Sequence, residues 1–279
     1  MRLGEQLREL RREARVSGRE FAQRAGWQSA SLVTMIEKGQ RSISAEHVAL
    51  WCRICGVSDR RRRELLAEQE SVAGMWVTYR ELNRGGLKKA QESVRDRYER
   101  VRLMRVYAGH VIPGLLQTEA YTRTALEAAR VEQQVEFDDV AEAVAERIDR
   151  QRVLRRHDAR WLFVIEEPVL WQRVVPRLVH EEQLGHLLGV MRLASVSVGI
   201  IPLSADRAAT GFGVWPEHSF MLADTHTATV ELVSGYLSVT HPPEIGDYVR
   251  AWERLFPLAV HGERAAALIR SALQQLRPA

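Results

Sequence analysis

The feature that most constrains how this chain can fold is a series of helix caps in its first sixty residues. Ser17, Ser29, Ser44 and Ser58 each precede a stretch with apolar residues at helical spacing, and Gly26 and Gly39 close two of those stretches. A serine hydroxyl before a helix accepts a bond from an otherwise orphaned amide, and glycine ends a helix in a left-handed conformation at no steric cost. Punctuation this dense permits only short helices. The first is expected from Leu3 to Ala14, with Leu3, Leu7, Leu10 and Ala14 on one face and Arg8, Glu9, Arg11 and Arg12 between them. Ser17 opens a second, with Glu20 placed to complete a capping box, Phe21, Ala22 and Ala25 inward and Gly26 as its stop. A third runs from Ser29 through Leu32, Val33 and Ile36 to Gly39. The fourth follows Ser44, with Val48, Trp51, Cys52 and Cys55 facing inward. A fifth, Asp59 to Ala67 behind Ser58, carries Arg60 to Arg63, a run that reads as a solvated face with DNA contact as the alternative.

The 279 residues predict about two domains, and 46% hydrophobic with 27% charged residues is a folding composition. Net charge is +4. Residues 1–71 hold 14 Lys or Arg against 10 Asp or Glu, and the remainder 26 against 26, so the whole excess lies in the first quarter. That places a polyanion-facing end on an otherwise neutral chain, since neutralised phosphates release counterions. No apolar run is long enough to span a membrane, the first seven residues carry charge where a signal peptide needs an apolar run, and Cys52 and Cys55 are the only cysteines. A cytoplasmic protein is expected.

Residues 71–89, with Gly74, Asn83, Gly85 and Gly86 around Trp76 and Tyr79, read as a linker holding about one helical turn. Beyond it the pattern lengthens. Helices are expected over 90–107, 118–130, 138–157 and 176–193, strands over 161–165, 195–202, 219–223, 228–233 and 236–240, and two closing helices from Pro243 and Gly262. The fold class is therefore multidomain: an all-α five-helix domain over 1–70, then a larger mixed α+β domain over 90–279.

Helix two, the turn at Gly26 and helix three form a unit that can present the third helix to a DNA major groove. Phe21-Ala22-Gln23-Arg24-Ala25-Gly26, followed by Val33-Thr34-Met35-Ile36-Glu37-Lys38-Gly39-Gln40-Arg41, resembles the xenobiotic-response-element, or lambda-repressor-like, helix-turn-helix regulators. The resemblance puts Ser29, Ala30, Ser31 and Thr34 against base edges, and Ser17, Arg19, Lys38 and Arg41 against phosphates. Hydroxyls and a methyl discriminate bases less than Arg or Asn does, so DNA shape is expected to share the task. Gly18 stands where the family commonly has glutamine, and the turn is a residue longer. A palindromic double-stranded operator read by a homodimer is the expected target.

In the second domain, Val111-Ile112-Pro113-Gly114-Leu115-Leu116-Gln117-Thr118-Glu119-Ala120-Tyr121 is similar to the WhiJ-like, antitoxin-like regulators. Glu146-Arg147, Arg150-Gln151, Glu166-Glu167, Glu182-Gln183-Leu184, the 196–202 strand and Val230-Glu231 extend the likeness. It implies a small acidic protein partner, encoded by a neighbouring gene, that signals through a dimerising regulatory domain. Read physically, Pro113-Gly114 forces a turn, Thr118 caps a helix, and Leu115, Leu116 and Tyr121 are buried. Gln117, Glu119, Arg147 and Glu231 either serve that packing or line a partner or ligand surface. A small-molecule sensor and an antitoxin are the alternatives.

No enzyme is expected. His180 and His186 lie six apart, on opposed helix faces, where a zinc-protease helix needs i and i+4. Cys52 and Cys55 supply two thiolates to a structural zinc that needs four ligands, so both are expected in the core. Thr210-Gly211-Phe212-Gly213 lacks the helix a phosphate loop requires, and Trp171, Trp215 and Trp252 suit packing better than base stacking. No catalytic residue, metal or cofactor is assigned.

Overall fold

A computed structural model of the chain describes residues 2–41, 43–209, 211 and 213–276, so part of the 210–213 string lies outside the described residues. Two compact units divide the chain, residues 1–76 and 77–279. The first holds five helices: α1 (Arg2–Glu13), α2 (Gly18–Arg24), α3 (Ser31–Glu37), α4 (Ala45–Ile54) and α5 (Asp59–Met75). The serines act as expected at three of them, with Ser17 accepting from the Glu20 amide, Ser44 from His47 and Ser58 from Arg61. At α3 the Ser29 hydroxyl accepts from the Ser31 amide at 3.1 Å, while Ala30 occupies the cap position. The Glu20 carboxylate turns to Arg24 at 2.5 Å and leaves that capping box half made, whereas Ser44 and His47 complete one. Gly26 and Gly39 take φ of +72° and +67°, the left-handed exits that stop α2 and α3. Leu7, Phe21, Val33, Ile36 and Trp51 form the centre of the core, with the Phe21 and Trp51 rings 4.1 Å apart. Cys52 is buried and Cys55 half-buried beside it.

The stretch 71–89 is structured throughout. It carries the end of α5, then β1 (Trp76–Thr78), α6 (Tyr79–Leu82), a 3-10 turn at Asn83–Gly85 and the start of α7 (Leu87–Glu92). After α8 (Arg95–Arg100) come β2 (Leu103–Ala108), α9 (Glu119–Glu132), α10 (Val140–Arg150), β3 (Arg160–Glu166), α11 (Pro168–Trp171), α12 (Arg177–Val190) and β4 (Val196–Ile201). The chain ends with β5 (Phe220–Ala223), β6 (Thr227–Leu232), β7 (Gly235–Val239), α13 (Pro242–Leu255) and α14 (Gly262–Leu276). The strands form one seven-stranded mixed sheet in the order β1-β7-β6-β5-β2-β3-β4. β2, β3 and β4 run parallel, with Val106 opposite Phe163 and Phe163 opposite Val198; β5, β6 and β7 join antiparallel through Val106 opposite Met221.

The helix expected over 90–107 is thus corrected to two short helices and a central strand. Val94, Tyr98, Val101 and Met104 mimic a helical stripe, but β2 is buried at five of its six positions, so it carries none of the alternation that marks a half-exposed strand. A tertiary contact breaks the helix: the Asp224 carboxylate accepts from the Arg102 and Leu103 amides at 3.1 and 2.8 Å. Asp224 and Leu103 also exchange a backbone bond of 2.8 Å.

The long string 111–121 forms a 3-10 turn, Gly114–Leu116, followed by the Thr118-capped α9. Three buried or half-buried amides fix it. Gln117 Nε2 donates to the Ile112 carbonyl at 2.8 Å, and Gln151 Nε2 to the Gln117 carbonyl at 2.7 Å. Fully buried Gln183 spans the bend, donating to the Leu116 carbonyl at 2.7 Å and accepting from the Thr118 amide at 2.8 Å. Replacing Gln183 by Ala strands both backbone groups away from water, a loss of about 2–4 kcal/mol of stability. Urea denaturation of Gln183→Ala reads that loss, and an unchanged midpoint would show that the bend stands without the side chain.

Candidate nucleic-acid interface and an arginine-lined cavity

In the first unit, Ser17, Arg19, Ser29, Ser31, Thr34, Lys38 and Arg41 are all exposed, and Ala30 is half-exposed. Ser17 and Arg19 stand at the start of α2, Ser29 and Ala30 just before α3, Ser31 and Thr34 on its first turn, and Lys38 and Arg41 just past its end. Arg19, Lys38 and Arg41 form no ion pair among the described residues, leaving three cations free for phosphate. The Arg60 to Arg63 run differs, since Arg60 and Arg61 are held by Glu64 at 3.2 and 3.1 Å and Arg61 also reaches Gln6. Met35, 38% exposed on α3, was not foreseen and adds an apolar contact able to meet a thymine methyl.

Glu37 does not face outward with its neighbour Lys38. It is 6% exposed and pairs bidentately with Arg11 at 2.6 and 2.8 Å, while Arg11 also bonds the Val16 carbonyl at 2.9 Å. That hydrogen-bonded partner is the main reason the Arg11 guanidinium is held above its ordinary pKa. The pair ties the C-terminal end of α3 to α1 and so fixes the orientation of α3. Burial pushes the Cys55 thiol up to about 11 and raises Cys52 as well, which keeps both thiols protonated near neutral pH.

In the second unit parts of the strings noted in the sequence, from 111–117, 146–151 and 230–231, line one cavity of about 340 Å³. Gln117, Arg147 and Glu231 all line it; Glu119 is not among the lining residues and pairs instead with Arg123 on the exposed face of α9. Arg97 and Arg150, not singled out as site residues by sequence, complete the charged lining. Arg147 donates to Gln91 Oε1 at 3.1 Å and Gln117 Oε1 at 3.3 Å, and Arg97 to Thr229 Oγ1 at 3.1 Å. Arg150 is 6% exposed, donates to the Gln91 carbonyl and side chain at 2.7 and 2.8 Å, and lies 5.1 Å over the Tyr98 ring. Its buried Nε has no hydrogen-bond partner. Burial, then the neighbouring Arg150 charge, brings Arg147 down to about 10, with Glu231 acting in the opposite direction. Arg150 is lowered too, chiefly by burial. Elsewhere, Glu166 at the end of β3 is satisfied structurally, by Arg207 through both oxygens at 2.6 Å and by Tyr107 at 2.8 Å.

Among the described residues no helix is long and apolar enough to cross a membrane. Comparison with curated proteins and with solved structures gives no match. A family model described as Helix-turn-helix domain matches residues 2–65, which makes DNA the partner of the first unit and the chain a helix-turn-helix regulator. A second, described as Domain of unknown function (DUF5753), matches residues 92–271. That match takes in well over half of the sequence, and the chain therefore belongs to the DUF5753 family, with a helix-turn-helix domain ahead of the family's own.

Proposed function

We propose that the chain is a cytoplasmic, non-catalytic transcriptional regulator that binds a specific palindromic operator as a homodimer. The observation carrying this reading is the arrangement on the first unit: Ser29 just before α3 and Ser31 and Thr34 on its exposed first turn, flanked by Arg19, Lys38 and Arg41, which form no ion pair among the described residues. Cations that position the helix and short polar groups that face bases are the two parts a groove reader needs. The likeness to lambda-repressor-like regulators supports the same docking of α3. The likeness of the second unit to WhiJ-like regulators supports reception of a signal there from a small acidic protein partner.

Selection of duplexes from a random pool by the full chain tests the reading. The expected product is an inverted repeat with half-sites about 10 bp apart, one helical turn, bound by two protomers. Enrichment of no sequence over a shuffled control would remove the regulator reading, and an asymmetric single site would remove the homodimer.

A further inference from the structure

The cavity of the second unit has an electrostatic imbalance that packing alone does not explain. Three arginines, Arg97, Arg147 and Arg150, line it against one carboxylate, Glu231, and none of the three forms an ion pair among the described residues. Leaving a guanidinium buried without a counter-ion is unfavourable, since desolvation is not repaid by a partner charge. Arg150 shows this most sharply: two of its N–H groups are used by Gln91, while Nε is buried and unpartnered. Nearby, Arg95 and Arg156 do find carboxylates, at Glu146 and Asp158. Apart from Gln91, Gln117, Ser219 and Thr229, the remaining walls are apolar or aromatic, with Val106, Leu115, Phe220, Met221 and Tyr236 among them. A volume of about 340 Å³ falls in the range of small-molecule sites.

We propose that this cavity binds a small organic anion, its carboxylate or phosphate meeting the Arg147 and Arg150 wall and its apolar, ring-sized body lying against Phe220, Met221 and Tyr236. Arg is suited to this because its planar fork meets a carboxylate or phosphate with two parallel bonds. The cavity is one small molecule in size, which favours a metabolite over a protein side chain. The lining residues all belong to the second unit, so this site stands or falls separately from the DNA reading.

Calorimetric titration of the full chain with 2-naphthoate, 2-naphthyl phosphate and the neutral 2-naphthylmethanol tests it. One anion per chain is expected, with the neutral alcohol at least tenfold weaker, and the preferred anion separates carboxylate from phosphate recognition. Arg147→Met should weaken the anion at least tenfold and leave the alcohol unchanged. Glu231→Gln, at an exposed position where folding is not at stake, should tighten the anion severalfold by removing the competing charge. Equal binding of anion and alcohol, absence of binding by all three, or an unchanged anion preference in both variants would overturn the proposal.

Discussion

The triple variant Arg19→Ala, Lys38→Ala, Arg41→Ala is expected to lose DNA binding by about two orders of magnitude per protomer at 0.15 M salt, and by about four when two protomers engage one operator. The size follows from counterion release: each neutralised phosphate contributes about 0.9 to the slope of log affinity against log salt, or roughly fivefold at that concentration. Three lost contacts per protomer should also flatten the slope by about 3, or by about 5 for a dimer. All three side chains are exposed and outside any ion pair among the described residues, so the fold is not expected to change. A salt series by fluorescence anisotropy, with circular dichroism beside it, measures both quantities; a wild-type slope would move the docking face elsewhere. Ser31→Ala and Thr34→Ala should behave oppositely, altering the ranking of operators while keeping the slope, because base contacts carry sequence and phosphate contacts carry register.

The first unit was legible because its signals are local. A serine and the amide three residues on, or a glycine and the carbonyls just before it, lie close together in any chain of that sequence, so Ser17, Ser44, Ser58, Gly26 and Gly39 could be placed before any tertiary contact was known. At α3 the local rule was softer, and Ser29 caps one residue out of phase with the helix that forms. In the second unit the decisive contacts join residues more than fifty apart. Asp224 cuts the 90–107 helix from across the sheet, and Gln183 holds a bend 67 residues upstream. Neither leaves a periodic trace in the sequence.

The cavity shows the same limit in its chemistry. Gln117, Arg147 and Glu231 were marked by the strings they sit in, and they do line one site. Arg97 and Arg150, which make that site cationic, come from α8 and α10 and look like members of ordinary surface charge runs. Arg95 and Arg100, beside Arg97 in sequence, are indeed surface-paired. Only the fold separates an arginine with a carboxylate partner from one without.

Glu37→Ala is expected to loosen α3 more than any substitution on its exposed face. Glu37 was visible in the sequence only as part of the run that ends the third helix, yet it is the buried half of a bidentate pair whose other half, Arg11, is 14% exposed by its side chain. The two helices meet closely enough that a Cβ on Gly4 of α1 would lie 2.7 Å from the Glu37 carbonyl oxygen, which leaves no room for the pair to reorganise. Removing the carboxylate strands a guanidinium, and breaking a buried pair from one side costs about 3–5 kcal/mol. For a unit of this size each kcal/mol lowers the melting temperature by roughly 4–8 °C. Amide hydrogen exchange at Val33 and Ile36 should therefore quicken by at least a hundredfold, since about 1.4 kcal/mol corresponds to tenfold. Operator affinity should fall with the folded population, while the salt slope of the remaining binding stays that of the native chain, because Glu37 touches no phosphate. The double variant Arg11→Met, Glu37→Leu should restore most of the protection, as apolar replacement of a buried pair often does. If Glu37→Ala exchanged at the native rate, the pair would be an ornament of α3 rather than what fixes its angle.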